Sequence, residues 1–444
     1  MAKTGKGSRK RDGHGKAAAR GKETGVTDKH TQENDSAWAK RPALSAVEAA
    51  SPAAPAAPTA PAAIAAPPAP RSAEAQDQRD ITAWDEEVFK SITSADLTPE
   101  QRQRLAAARR AYPRQREAMA VHWHPEFIPL ELCLERFRAT FPNLRSSLVV
   151  PTQHNQILTL GDYAGAEVDC YSSGFNRKVQ LLLHFRAGQV ERANALKSML
   201  DHTFKYRSSQ FFEFMDSILD PRWEKRMQEA AAQTGADEEV VGFTRTHAHK
   251  LRRLIESHES TTPLEMIKNK VLSDYFQALK EHFPAWLVGR ALVLLKAVKN
   301  VVKREFSLQY FYRASEIIEE TRYLGGGIVI PHPEQFWPIL MADYDVDGYE
   351  VWNPASREYT EFLIKVVNRE NRVPHPGRRK VLIFMGDDTH MSEKAKDPSR
   401  QDAEKAGREV GVQPAWEEMS IRKSLMLTGV SLAGVIEEYK ARLG

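Results

Sequence analysis

Cysteine is nearly absent: 444 residues hold only Cys133 and Cys170. Two cysteines make no disulfide framework, and a reducing cytoplasm is the simpler setting for them. Long apolar runs are also missing. The most apolar window, Trp286 to Val302, is interrupted by Arg290, Lys296 and Lys299, with Lys303 just beyond. Charges at that spacing give an amphipathic helix, not a membrane span. No apolar stretch follows the polar opening Met1-Ala2-Lys3-Thr4, so no secretory signal is expected. The formal net charge of +4 is too small to mark the whole chain as a nucleic-acid binder.

Large apolar side chains are scarce through the first seventy or so residues, and residues 1–78 are expected to be disordered because they bury too little to offset chain entropy. Their first part is basic (Lys3, Lys6, Arg9, Lys10, Arg11) and reads equally as a polyanion contact or a solubility tail. From Ala43 to Arg71 the composition is Ala/Pro, a semi-stiff linker. A helical lead-in is expected over 79–118, with Thr98 as N-cap, Pro99 in the first turn and a helix through Arg102 to Arg110.

What the chain does have is a series of short apolar runs ending at metal-capable residues. Ala118 to Val121 leads into His122-Trp123-His124, and Leu148-Val149-Val150 leads into Thr152-Gln153-His154. Gly165-Ala166-Glu167 and Val179 to His184 follow. Helical periodicity then takes over across 191–321, a mostly helical insertion on the scale of a small domain. Strand character resumes at Ile328-Val329-Ile330 before His332, at Gly348 to Asn353, and at Val381 to Met385 before Gly386-Asp387-Asp388-Thr389-His390. A charged loop over Lys394 to Pro414 and one closing helix from Ser424 to Leu443 complete the pattern. In barrels of alternating strands and helices, chemistry gathers at the strands' C-terminal ends.

The strand-end set is His122, His124, His154, Glu167, His184, His332, Asp388 and His390. Imidazoles with carboxylates suit Mn²⁺, Zn²⁺ or Fe²⁺, whereas Mg²⁺ and Ca²⁺ prefer oxygen cages. Eight ligands exceed the needs of one ion, so two or three divalent ions are expected. Thr246-His247-Ala248-His249 repeats the H-x-H spacing but opens a helix with no strand before it, and is set aside.

In order and local context these motifs resemble the PHP (polymerase and histidinol phosphatase) superfamily of metal-dependent phosphoesterases. The resemblance spans about 119–190 and 322–391. It implies a distorted (β/α)7 barrel over 119–190 and 322–444, carrying the helical insertion. It further implies that His122, His124, Glu167 and Asp388 hold one ion and that Glu167, His184 and His332 hold a second, with Glu167 bridging. His154 and His390 would hold a third. His122, Glu167 and Asp388 are the implied catalytic residues, acting on a phosphomonoester or phosphodiester through a metal-bound hydroxide. Nucleic acid or a nucleotide is a plausible substrate, and Arg177, Lys178 or Arg357 is a candidate phosphate grip.

Two positions depart from the family pattern. Gln153 stands where Asp is usual. Leu130 stands where a further His or Asp ligand is usual, with Glu131 beside it either taking over the role or leaving the third site weakened. These departures motivate the competing reading, a catalytically inactive barrel serving as a binding or scaffold module. Hydrolysis of a C–N bond fits less well, because the metal-ligating Lys common in such barrels has no counterpart and the terminal D-x-H favours phosphoesters.

Overall fold

The computed structural model describes residues 80–373, 377 and 379–444. The expected tail over 1–78 and His375 lie outside the described residues. The lead-in begins with helix Ala83–Thr93, capped by a Thr82–Asp85 box, and helix Pro99–Ala106, capped by Thr98 as expected. The second helix stops short of Arg110, because Ala107 already has extended backbone.

Ten strands follow among the described residues. They are β1 (Glu117–Ala120), β2 (Trp123–His124), β3 (Ser146–Val149), β4 (Leu158–Leu160), β5 (Tyr163–Ser172), β6 (Arg177–Arg186), β7 (Gly327–Ile330), β8 (Gly348–Trp352), β9 (Leu382–Met385) and β10 (Thr389–His390). They form a mixed α/β structure with three sheets: β1 with β3, β2 with β10, and the six-stranded order β4-β5-β6-β7-β8-β9. None of these sheets closes on itself. Pairings from β4 to β7 are antiparallel, and β7-β8-β9 are parallel. The uniform alternation of strand and helix expected from the sequence is therefore not followed. A tight turn joins β5 directly to β6 and makes them a hairpin, since parallel neighbours would need a long crossover. At the other end Asp388, with φ 45°, separates β9 from the two-residue β10.

The sheets bury one core containing Leu148, Val168, Leu181, Leu183, Ile328, Val329, Ile383 and Phe384. Between β6 and β7 the chain runs as helices from Asn194–Phe204 to Ala314–Tyr323. These bury a core of their own around Phe211, Phe214, Leu251, Leu272, Tyr275 and Val298, into which lead-in Phe89 also packs. Buried Asp85 ties the two segments, accepting from Tyr275 Oη at 2.6 Å and Lys250 Nζ at 3.1 Å. A charged group taken out of water is tolerable only with such partners.

The closing segment is two helices, Met419–Met426 and Leu432–Leu443, rather than one. Gly429 breaks the run at φ 71°, a left-handed turn that glycine adopts without a Cβ penalty. No described helix is long and apolar enough to cross a membrane. Cys133 and Cys170 are buried, free thiols.

Candidate metal centre

The first and last motifs are neighbours in the backbone itself. β2 and β10 pair in parallel, with Trp123 opposite Thr389 and His124 opposite His390. Thr152 secures the second motif to the first: its hydroxyl accepts from the Trp123 N–H at 3.0 Å and donates to the Trp123 carbonyl at 3.1 Å. His154 and Glu167 form an isolated bridge. Glu167 lies in mid-strand rather than at a strand end, because β5 continues to Ser172.

Glu167 is the hub. Its Oε1 lies 4.0 Å from His122 Nε2 and 3.6 Å from His332 Nε2; its Oε2 lies 3.5 Å from His124 Nε2 and 2.6 Å from His154 Nδ1. Asp388 Oδ1 is a second hub, 3.7 Å from His122 Nε2, 3.5 Å from His124 Nε2 and 3.4 Å from His390 Nε2. Three overlapping groups could each hold a divalent cation: His122, His124 and Asp388; His122, Glu167 and His332; and His124, His154 and His390.

Several of these buried atoms have no hydrogen-bond partner, namely His122 Nε2, both nitrogens of His124 and His332 Nδ1, while His154 Nδ1 and Glu167 Oε2 have only each other, at 2.6 Å. An orphaned buried polar atom costs on the order of 1–3 kcal/mol. A convergent set of them fits cations, whose bonds to imidazole and carboxylate would satisfy the atoms left open.

The electrostatics point the same way. Burial and then the His154 ring act on Glu167, and the surrounding imidazoles hold its carboxyl well below the usual range. Asp388 is likewise held low against burial, by the His124 and His390 rings beside it. Burial lowers His122, but Glu350 overcomes it and pushes the ring up to about 10. His154, buried and facing the positive charge of Arg207, drops to about 3 and is neutral at physiological pH.

His184 is not brought into this set. Its Nε2 bonds the Val121 carbonyl at 2.9 Å and its Nδ1 bonds Tyr439 Oη at 2.6 Å, so both ring nitrogens are occupied. It ties the short link between β1 and β2, which carries His122, to helix Leu432–Leu443. Substituting His184 by Asn is expected to cost about 1–3 kcal/mol of stability through the lost bonds while metal stoichiometry stays unchanged. Elemental analysis beside thermal melts would check this, and loss of one equivalent of metal would make His184 a ligand after all.

Glu131 does not move into the site either; it is exposed near the start of helix Leu130–Thr140. A second carboxylate beside His390, on the other ring nitrogen from Asp388, is Glu126, whose Oε1 lies 3.7 Å from His390 Nδ1. Gln153, the other departure, accepts from the Glu126 N–H at 3.1 Å, so it helps fix the loop that presents Glu126.

Glu350 is a further residue that motif reading passed over. Its Oε1 lies 2.8 Å from His122 Nδ1, and its Oε2 accepts from the His332 N–H at 2.6 Å. A lone carboxylate in the otherwise apolar strand Gly348–Trp352 was the available signal. Among candidate phosphate grips, Lys178 is engaged by Asp169, Arg357 lies over the Trp352 ring at 5.9 Å, and Arg177 is exposed. Among the described residues, the arginine paired with a hub carboxylate is instead Arg408, whose Nη1 donates to Asp388 Oδ2 at 2.8 Å. It lies in the segment expected to be a charged loop.

His247, in the H-x-H repeat that was set aside, sits on helix Glu238–Ser257 and packs against Phe243 and Phe283.

No family model matches the chain, and no curated protein does. Among solved structures, the chain is similar to a presumed metal-dependent phosphoesterase from Bifidobacterium adolescentis. The two share 16% identity over 73% of this chain and 100% of the other, at a TM-score of 0.35. A likeness that weak carries no argument, and the functional reading rests on the side chains.

Proposed function

We propose that this protein is a metal-dependent phosphoesterase built on a PHP-type barrel, with two or three divalent ions held by His122, His124, His154, Glu167, His332, Asp388 and His390. The observation that carries the reading is the buried, orphaned ligand set converging on Glu167 and Asp388. Glu167 would be the ligand shared between neighbouring ions, since its two oxygens face different histidine pairs. Glu126, beside His390 but paired with Lys268, is the carboxylate nearest the place where the family pattern has a further ligand.

Divalent ions bound there would acidify a water and neutralise charge on a phosphoester. The chain's own residues fix where that happens. Glu350 orients the His122 ring, Arg408 orients Asp388, and the buried walls around the histidines exclude bulk water. Neutral His154 offers a lone pair without first losing a proton.

Purified protein is expected to contain Mn, Fe or Zn and to hydrolyse p-nitrophenyl phosphate, with activity lost to a chelator and restored by metal. Protein free of these metals, and inactive on a panel of mono- and diesters with each metal added, would overturn the proposal.

A pH dependence follows for metal-free protein. His122 is raised from 6.5 to about 10, mainly by Glu350, and His390 from 6.5 to about 9, mainly by Asp388, both against the lowering effect of burial. A raised histidine contributes stability that is complete below its unfolded value and is lost as pH rises through the folded one. Chelator-treated protein should therefore melt at lower temperature at pH 10 than at pH 6.5. Metal affinity should move oppositely, tightening with pH as the rings lose protons. Melting curves and metal titrations across that range would show whether the two trends diverge.

A further inference from the structure

The side of β5–β6 that carries Glu167 continues outward into a second cavity, of about 340 Å³. Strand register explains the continuity. Residues two apart share a face, so Glu167 and Asp169 point the same way, about 7 Å apart along the strand. Gln180 lies opposite Asp169, and Lys178 lies opposite Tyr171 on that same face. The far wall comes from the helical insertion.

The lining charges are strongly one-sided: Lys178, Arg207, Lys268, Lys270 and Lys303 against the single carboxylate Asp169. Lys178 pairs with Asp169, Lys268 with Glu126 and Lys270 with Glu393. Arg207 and Lys303 make no ion pair among the described residues. Burial, and then the charges of Lys299 and Lys178, lower the pKa of Lys303. The cavity is tied to the metal centre twice. Lys268 Nζ reaches Glu126 at 3.2 Å, and Asp169 accepts from Asn155 Nδ2 at 2.9 Å, next to His154. Tyr206, Phe306 and Phe311 form the apolar side, with Lys178 Nζ 5.5 Å from the Tyr206 ring centre.

We infer that this cavity is a second anion subsite, binding a phosphate other than the one cleaved, so that the preferred substrate is a nucleotide or short nucleic-acid strand carrying at least two phosphates. The inference rests on the phosphoesterase reading for the identity of the reaction, but the subsite can be probed without it. The unpaired cations Arg207 and Lys303 take the second phosphate, and the neighbouring aromatic wall takes an apolar or ring portion of the same molecule. This gives the insertion a role: it selects substrates by charge at a distance from the reacting bond.

The test uses full-length protein with Lys303→Ala and Lys303→Glu, each checked for intact folding by circular dichroism. Substrates are p-nitrophenyl phosphate, a nucleoside diphosphate and a 5′-phosphorylated trinucleotide. Each variant is expected to raise KM tenfold or more for at least one of the two multiply charged substrates, and to change kcat/KM for p-nitrophenyl phosphate less than twofold. Whichever substrate responds identifies the source of the second phosphate. Equal losses on all three, or no loss on any, would overturn the inference. Should no hydrolysis occur at all, trinucleotide binding to chelator-treated protein by titration calorimetry still decides. Tenfold weaker binding by Lys303→Glu, with a salt slope smaller by about one, supports the subsite, and unchanged binding removes it.

Discussion

Glu167→Gln is expected to lower phosphoester turnover by ~10³-fold or more while the protein stays folded, a loss on the scale of deleting one preorganised electrostatic contributor in a dry site. Glutamine keeps the shape but not the charge. Each Glu167 oxygen faces two imidazoles, at 4.0 and 3.6 Å for Oε1 and at 3.5 and 2.6 Å for Oε2. Neutralising it removes the carboxylate of the His122, Glu167 and His332 grouping and the negative charge facing His124 and His154. Metal content should fall together with kcat. Turnover within tenfold of wild type at full metal content would rule out Glu167 as the bridging ligand. The His184 variant is the matched control, a histidine of the same hairpin whose loss should cost stability without emptying the site.

The second large effect is expected from Gly386→Ala. A Cβ at this position would sit 1.1 Å from Glu350 Oε1 and 3.0 Å from His122 Nδ1. The clash cannot be relieved cheaply, because Glu350 holds both the His122 ring and the His332 N–H. Displacing it leaves two buried groups without partners and frees the His122 ring to turn. Overpacking of this kind costs about 1–3 kcal/mol, and loss of a residue that orients a ligand costs about 10–100-fold in metal affinity. Gly386→Ala should therefore melt earlier and bind metal more weakly, although it touches no proposed ligand-forming atom. Glu350→Ala should reproduce the affinity loss without the steric one. Normal metal affinity in both variants would refute this account of the glycine.

Much of the candidate site was legible because its motifs are local. His122 and His124, or Asp388 and His390, lie two residues apart beside recognisable apolar runs, so a strand-end reading finds them without any tertiary knowledge. The residues that were missed act over long sequence separations. Glu350 meets His122 across 228 residues, and Arg408 reaches Asp388 from a segment with no periodicity. His184 misled for the opposite reason. Its strand context matches the pattern, and only the arrival of Tyr439 from the final helix shows that its ring is already engaged. The strands themselves were largely anticipated, but their pairing was not, since the tight β5–β6 turn decides between hairpin and crossover.

Of the six non-glycine residues with positive φ among the described residues, Glu126, His332 and Asp388 belong to the proposed centre, and Asn155 follows His154 directly. Side chains with a Cβ adopt that backbone at a cost of about 1–3 kcal/mol each. Evolution toward a more heat-resistant protein would gain most easily by relaxing these turns, for instance with glycine, and would risk spreading the ligand atoms apart as it did so. The centre is thus a place where thermal endurance and ligand geometry pull against each other. Asp343, a left-handed residue outside the proposed ligand set, is where the same relaxation could be made without that conflict.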